Sequence, residues 1–147
     1  MTITRRFAAS RSRVWAAWTT PELFEKWWAP KPWKAIVKTF DFREGGQCHY
    51  YMEGPDGEKQ WCLLSYESID PENSFSLFDG FADEAGNMTD ALPSMHWRNE
   101  FKDEGETTLV VVTIQFQKLE DIQKIIEMGF KEGFTMGLGN LDEVLLA

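Results

Sequence analysis

Hydrophobic and polar positions alternate with a period of two from Trp33 to Phe116, and the spacing changes to three and four on either side of that stretch. Ile3, Arg5 and Phe7 alternate with Thr4 and Arg6, which predicts a short first strand. Ser10 then suits the N-cap of a helix carrying Val14, Trp15 and Trp18. Thr20-Pro21-Glu22 marks a second helix start, with Thr as cap, Pro in the first turn and an acid beside it. Leu23, Phe24, Trp27 and Trp28 give that helix an apolar side, and Ala29-Pro30-Lys31-Pro32 ends it. The period-two region divides into six strands, roughly 33–42, 46–53, 59–69, 73–81, 95–102 and 107–116. Turn formers separate them, and the short connections imply antiparallel hairpins. The longer polar stretch Asp83–Pro93 reads as a surface loop, with a mobile lid as the alternative.

From Asp121 to Leu146, apolar or small residues recur at a spacing of three and four, among them Ile125, Phe130, Phe134, Leu141 and Leu145. This predicts one continuous helix of roughly 40 Å with a buried face. Gly129, Gly133 and Gly137 fall on one stripe of that helix, and each costs about 1 kcal/mol of helix propensity against alanine. Two explanations stand: close approach of the helix backbone to the sheet, or room left for a ligand.

One hairpin fixes which strand positions face inward. If the turn at Pro55-Asp56-Gly57 has a two- or four-residue loop, even positions before it pair with odd positions after it. Cys48, Tyr50 and Met52 then share an apolar inner face with Trp61 and Leu63, while Cys62 points outward. A disulfide between the two cysteines is disfavoured on that geometry.

The order of elements is strand, two short helices, six strands and one long helix. Together with Val14-Trp15-x-Ala17, Pro21-Glu22 leading to Trp27-Trp28-x-Pro30, Asp41-x-Arg43-x-Gly45-Gly46, Met52 with Asp56-Gly57, and Gly133-Phe134 followed by Leu138 and Leu141, it resembles the superfamily of START-type lipid-transfer domains, the birch-pollen allergen and polyketide cyclases (SRPBCC). Within it, the chain most resembles the family related to the C-terminal domain of the activator of the heat-shock-protein ATPase. The resemblance implies an α+β helix-grip fold as a single domain over 1–147: a curved antiparallel sheet of about seven strands around a long C-terminal helix. It also implies an elongated cavity between sheet and helix, where relatives bind hydrophobic ligands. Chaperone activation belongs to larger relatives with an additional N-terminal domain and is not carried over.

Composition narrows the function. A chain of 147 residues is one domain in size and can bury a full core. Aromatic residues make up 14%, with 7 Trp and 11 Phe, enough either to fill a large core or to line a hole in one. The net charge of −9 makes nucleic acid and anionic membrane unfavourable partners. No apolar run suits a signal peptide or a membrane span, so a cytoplasmic location with reduced thiols is expected.

The chemistry that can be placed is sparse. His49 and His96 fall on outer faces, and with the cysteines on opposite faces no metal-ligand spacing emerges. No nucleophile elbow, phosphate loop or dinucleotide fingerprint is present, so no cofactor and no catalytic residue is assigned. Asp41 pairs with Arg43 or caps the Gly45-Gly46 turn, a structural role. The expected ligand-binding residues are Trp28, Tyr50, Met52, Trp61, Leu63, Asp79, Phe81, Met95, Trp97, Asn99, Phe130, Gly133 and Phe134. Asp79 and Asn99 are polar side chains at inner positions, each either satisfied locally or orienting a ligand. The leading expectation is a binding module for a small hydrophobic or aromatic molecule. A cyclase- or hydrolase-like enzyme using Asp79 is the alternative, and a chaperone-interacting or homodimerising protein the third.

Overall fold

The computed structural model describes residues 1–89 and 95–146. The elements follow the predicted order: β1 (Thr2–Phe7), α1 (Arg11–Thr19), α2 (Pro21–Trp27), β2 (Lys34–Phe40), β3 (Gln47–Glu53), β4 (Lys59–Asp70), β5 (Ser74–Phe81), β6 (Met95–Asp103), β7 (Thr108–Gln115), α3 (Leu119–Glu127) and α4 (Phe130–Leu146). The strands form one antiparallel sheet in the order β1-β7-β6-β5-β4-β3-β2. Strands adjacent in sequence are adjacent in space from β2 to β7, as short hairpin connections require. Only β1 crosses over, to pair with β7.

The helices lie on the concave face. Val14, Ala17 and Trp18 of α1 and Phe24 and Trp27 of α2 are buried against Phe75, Phe101 and the inner residues of β7. Trp18 stands edge-on to Phe75 and Phe101, with ring centroids 6.4 and 5.7 Å away. Trp27 Nε1 donates to the Ala17 carbonyl at 2.9 Å, so the buried indole keeps its polar edge satisfied. Ser10 and Thr20 occupy the expected cap positions, but neither hydroxyl caps a helix; that of Thr20 donates back to the Ala16 carbonyl at 2.7 Å.

Two expectations are corrected. The turn after β3 has a three-residue loop, because Gly54 N–H bonds the Glu58 carbonyl at 2.9 Å and Gly57 takes φ +84°. Three-residue hairpins place a residue, commonly Gly, in the left-handed region at this position. An odd loop sets like parity opposite like, so Tyr50 faces Cys62 and Cys48 faces Leu64. Cys62 and Leu64 therefore point inward, and Trp61 and Leu63 lie on the convex face. Both cysteines are free thiols on the inner face. Trp61 stacks on His49, with centroids 4.8 Å apart, and packs on Tyr51. Leu63 is buried opposite Gly80, over which Met88 lies.

The second correction concerns the C-terminal helix. It is two helices: α3 ends at Glu127, Gly129 adopts φ +79°, and α4 restarts at Phe130. That left-handed glycine is the usual device for ending a helix. The element gripped by the sheet is thus the 17-residue α4, about 25 Å long. Within the expected surface loop, residues 83–89 form a tight turn in which Asp83 N–H bonds the Asn87 carbonyl at 2.9 Å. Residues 90–93 of that stretch lie outside the described residues.

Candidate functional site

The concave face is filled at one end and open at the other. At the filled end Trp15 and Trp18 of α1 interlock with Phe75 and Phe101, while Trp27 of α2 packs on Trp18 and Phe24 on Phe40. At the open end a cavity of about 260 Å³ lies between the sheet, α2, α3 and α4. It lies just below the roughly 300–1,000 Å³ usual for ligand pockets.

Ten of the thirteen expected residues meet there: Trp28, Tyr50, Met52, Asp79, Phe81, Met95, Trp97, Phe130, Gly133 and Phe134. Period-two alternation brings the β3, β5 and β6 members onto one face, and the first turns of α4 supply Phe130, Gly133 and Phe134. The aromatic walls are mutually packed. Trp97 stands edge-on to Phe134 and Phe130, at 5.2 and 5.7 Å, and Trp28 lies 5.9 Å from Trp97. Trp28 Nε1 donates to the Tyr50 hydroxyl at 2.7 Å, which fixes both rings.

Three expected residues lie elsewhere. Trp61 and Leu63 are on the convex face for the reason of parity given above. Asn99 is inward and fully buried but sits deeper, beside a void of about 10 Å³ lined also by Trp18, Tyr66 and Trp97. Its amide has no protein hydrogen-bond partner among the described residues, and neither do the Trp18 and Trp97 indole N–H groups. Sequence reasoning missed Pro30, Cys62, Gly80, Ile125, Met128 and Gly129 in the cavity lining.

The glycines divide by role. A Cβ on Gly137 would lie 3.2 Å from the Trp27 and Trp28 carbonyl oxygens, so this glycine lets α4 approach the end of α2. Asn140 reinforces the junction by donating to the Ala29 carbonyl at 3.1 Å. A Cβ on Gly133 would meet only Pro30, at 3.7 Å, and Gly133 lines the cavity. Close packing thus explains Gly137, open space Gly133, and the helix break Gly129.

Among the described residues, Asp79 is the one carboxyl group in the lining. It lies on β5 between Leu64 of β4 and Met95 of β6. Burial pushes its carboxyl up to about 7, against an opposing pull from the Gly80 backbone N–H. Cys62 is pushed up to about 12, mainly by burial, and burial also raises Tyr50 well above the usual phenol value. Both therefore stay protonated and neutral near pH 7. On the outer face, Glu67 accepts from His96 at 2.9 Å, and that bond together with one from Ser76 holds its carboxyl low. Arg43 pairs with Asp41 at 2.7 Å, the structural role expected for that turn. Among the described residues no cluster of His, Cys, Asp and Glu suits a metal ion, and no helix is long and apolar enough to cross a membrane.

Comparison with known proteins accords with this geometry. The family described as "Activator of Hsp90 ATPase homolog 1-like protein" matches residues 8–146. A solution structure from Arthrobacter aurescens is 35% identical over 98% of this chain and 84% of its own, with a TM-score of 0.93. A crystal structure from Mycobacterium smegmatis is 35% identical over 98% of this chain and 88% of its own, with a TM-score of 0.89. A Staphylococcus epidermidis protein solved in solution is 28% identical over 99% and 88%, with a TM-score of 0.88. No curated protein matches the chain. With nearly its whole length matched in sequence and its seven-stranded sheet gripping a C-terminal helix, the chain belongs to the activator of Hsp90 ATPase homolog 1-like family of the helix-grip superfamily.

Proposed function

We propose that this protein binds a small hydrophobic or aromatic molecule in the cavity between its sheet and α3–α4. The observation that carries the reading is the uneven packing of the concave face. Aromatic side chains fill one end down to a void of about 10 Å³, yet leave about 260 Å³ at the other, beside a helix position where glycine stands with room around it. Burial of apolar ligand surface would supply affinity at about 25 cal/mol per Å² before association costs. The volume suits a compact molecule of one or two rings and is too small for a sterol. A cytoplasmic setting belongs to the same proposal, and the two free thiols accord with it.

Asp79 supports a second reading, a cyclase- or hydrolase-like enzyme, because a carboxyl titrating near neutrality can move protons. The binding reading is favoured because Cys62, held as the thiol, is a poor nucleophile, and no histidine lines the cavity. Native mass spectrometry of protein purified from its own host tests the proposal. A retained small molecule, lost in Gly133→Leu with the fold intact, is the expected result. Equal retention in a folded Gly133→Leu variant would overturn it.

A further inference from the structure

Among the described residues, the cavity wall is apolar but for the Tyr50 hydroxyl, the Cys62 thiol and one carboxyl group, and that acid has no counter-ion. No Lys, Arg or His lines the cavity, and the segment 90–94 contains none in its sequence. Of the titratable groups, Cys48 and Tyr50 from β3 and Cys62 from β4 face Asp79, and all three remain neutral because burial raises them. The parts of α2, β6, α3 and α4 that reach the lining bring no charged side chain. The same cavity is walled by the rings of Trp28, Trp97, Phe130 and Phe134, packed on one another. A cavity that combines aromatic walls with an unpaired carboxylate suits an organic cation: ring quadrupoles attract positive charge and the carboxylate neutralises it.

Resting on the binding function proposed above, we infer that the ligand is a hydrophobic ammonium compound, an aromatic or branched-alkyl amine or quaternary amine. Its charge lies at Asp79 and its apolar body against the indoles of Trp28 and Trp97. A carboxylate or phosphate ligand would meet Asp79 with no cation to offset the repulsion. The protein's net charge of −9 also favours approach of a cation. Cation binding favours the ionised carboxyl, so Asp79 releases its proton when the ligand enters.

The test pairs benzyltrimethylammonium, whose charge does not titrate, with neopentylbenzene, its uncharged isostere. Binding is followed by tryptophan fluorescence and by amide chemical shifts. At pH 8 the cation is expected to bind about tenfold more tightly than the isostere. Asp79→Asn should erase that preference. In the unmodified protein, the cation's affinity should rise between pH 5.5 and 8 while the isostere's does not rise, a readout that does not depend on the variant folding. Binding of the isostere with no advantage for the cation overturns this inference and leaves the hydrophobic-ligand reading standing. Failure of both probes to bind overturns the two together.

Discussion

Asp79→Asn removes one ionisable proton from the cavity wall while keeping the size and shape of the side chain, so its effect on folding isolates the burial of charge. In the unfolded chain the carboxyl titrates at about 3.8, and in the folded protein at about 7. Below pH 3.8 both states hold the proton and the acid imposes no penalty. Between 3.8 and 7 the unfolded chain ionises while the folded protein retains its proton, so raising the pH favours unfolding. Above 7 both states are ionised and the penalty is complete. At about 1.4 kcal/mol per pH unit the gap is worth at most about 4 kcal/mol. Asp79 is half-buried and the surface it retains faces the cavity, where water screens the charge, so about 2 kcal/mol is the expected size. Urea unfolding followed by tryptophan emission at pH 4 to 9, in both proteins, measures it, since the other acids cancel in the difference. The variant should match the parent near pH 4 and exceed it by about 2 kcal/mol at pH 8. A difference that stays flat, or that turns in favour of the parent as pH rises, would refute the burial of an unpaired carboxyl at this position.

Tyr50→Phe removes the acceptor of the Trp28 indole and leaves that N–H buried and unpaired, which should cost about 1–3 kcal/mol in urea unfolding. Gly133→Ala should stabilise the fold by up to about 1 kcal/mol through helix propensity, because nothing crowds its Cβ; Gly137→Ala should gain less or lose stability against the α2 carbonyls, so the two midpoints should separate. Asn99→Leu replaces an unpartnered buried amide with an apolar side chain of the same branching and should raise stability by about 1 kcal/mol in thermal unfolding; a loss instead would refute the reading that the amide is unsatisfied. Cys48 and Cys62 should react with a thiol reagent far more slowly in the folded protein than in urea, because burial raises both thiols.

Most of the fold was legible because its signals are local. Alternation of Phe75, Leu77 and Asp79, or of Met95, Trp97 and Asn99, survives any arrangement of the other strands, and turn formers mark where each strand stops. What failed depended on single residues. The inner face of β4 turned on whether one loop has two, three or four residues, and the wrong parity moved Trp61 and Leu63 into the site and Cys62 out of it. The break at Gly129 was hidden because a glycine that ends a helix fell at the same three-to-four spacing as the apolar stripe. Ile125 and Gly129 were present in that stripe as a signal of burial. Met128 was not, because only the change of direction after α3 brings it to the cavity. The carboxyl at Asp79 was visible as a polar residue at an inner position, whereas its isolation from any base needed three dimensions.

The left-handed glycine between the last two helices divides labour at the C-terminus. The 17-residue segment is anchored along its length by buried side chains, whereas the nine-residue segment before it buries only Ile125. Swinging that shorter piece away about one swivel point would forfeit far less than global unfolding, so a guest could come and go while the scaffold stays assembled.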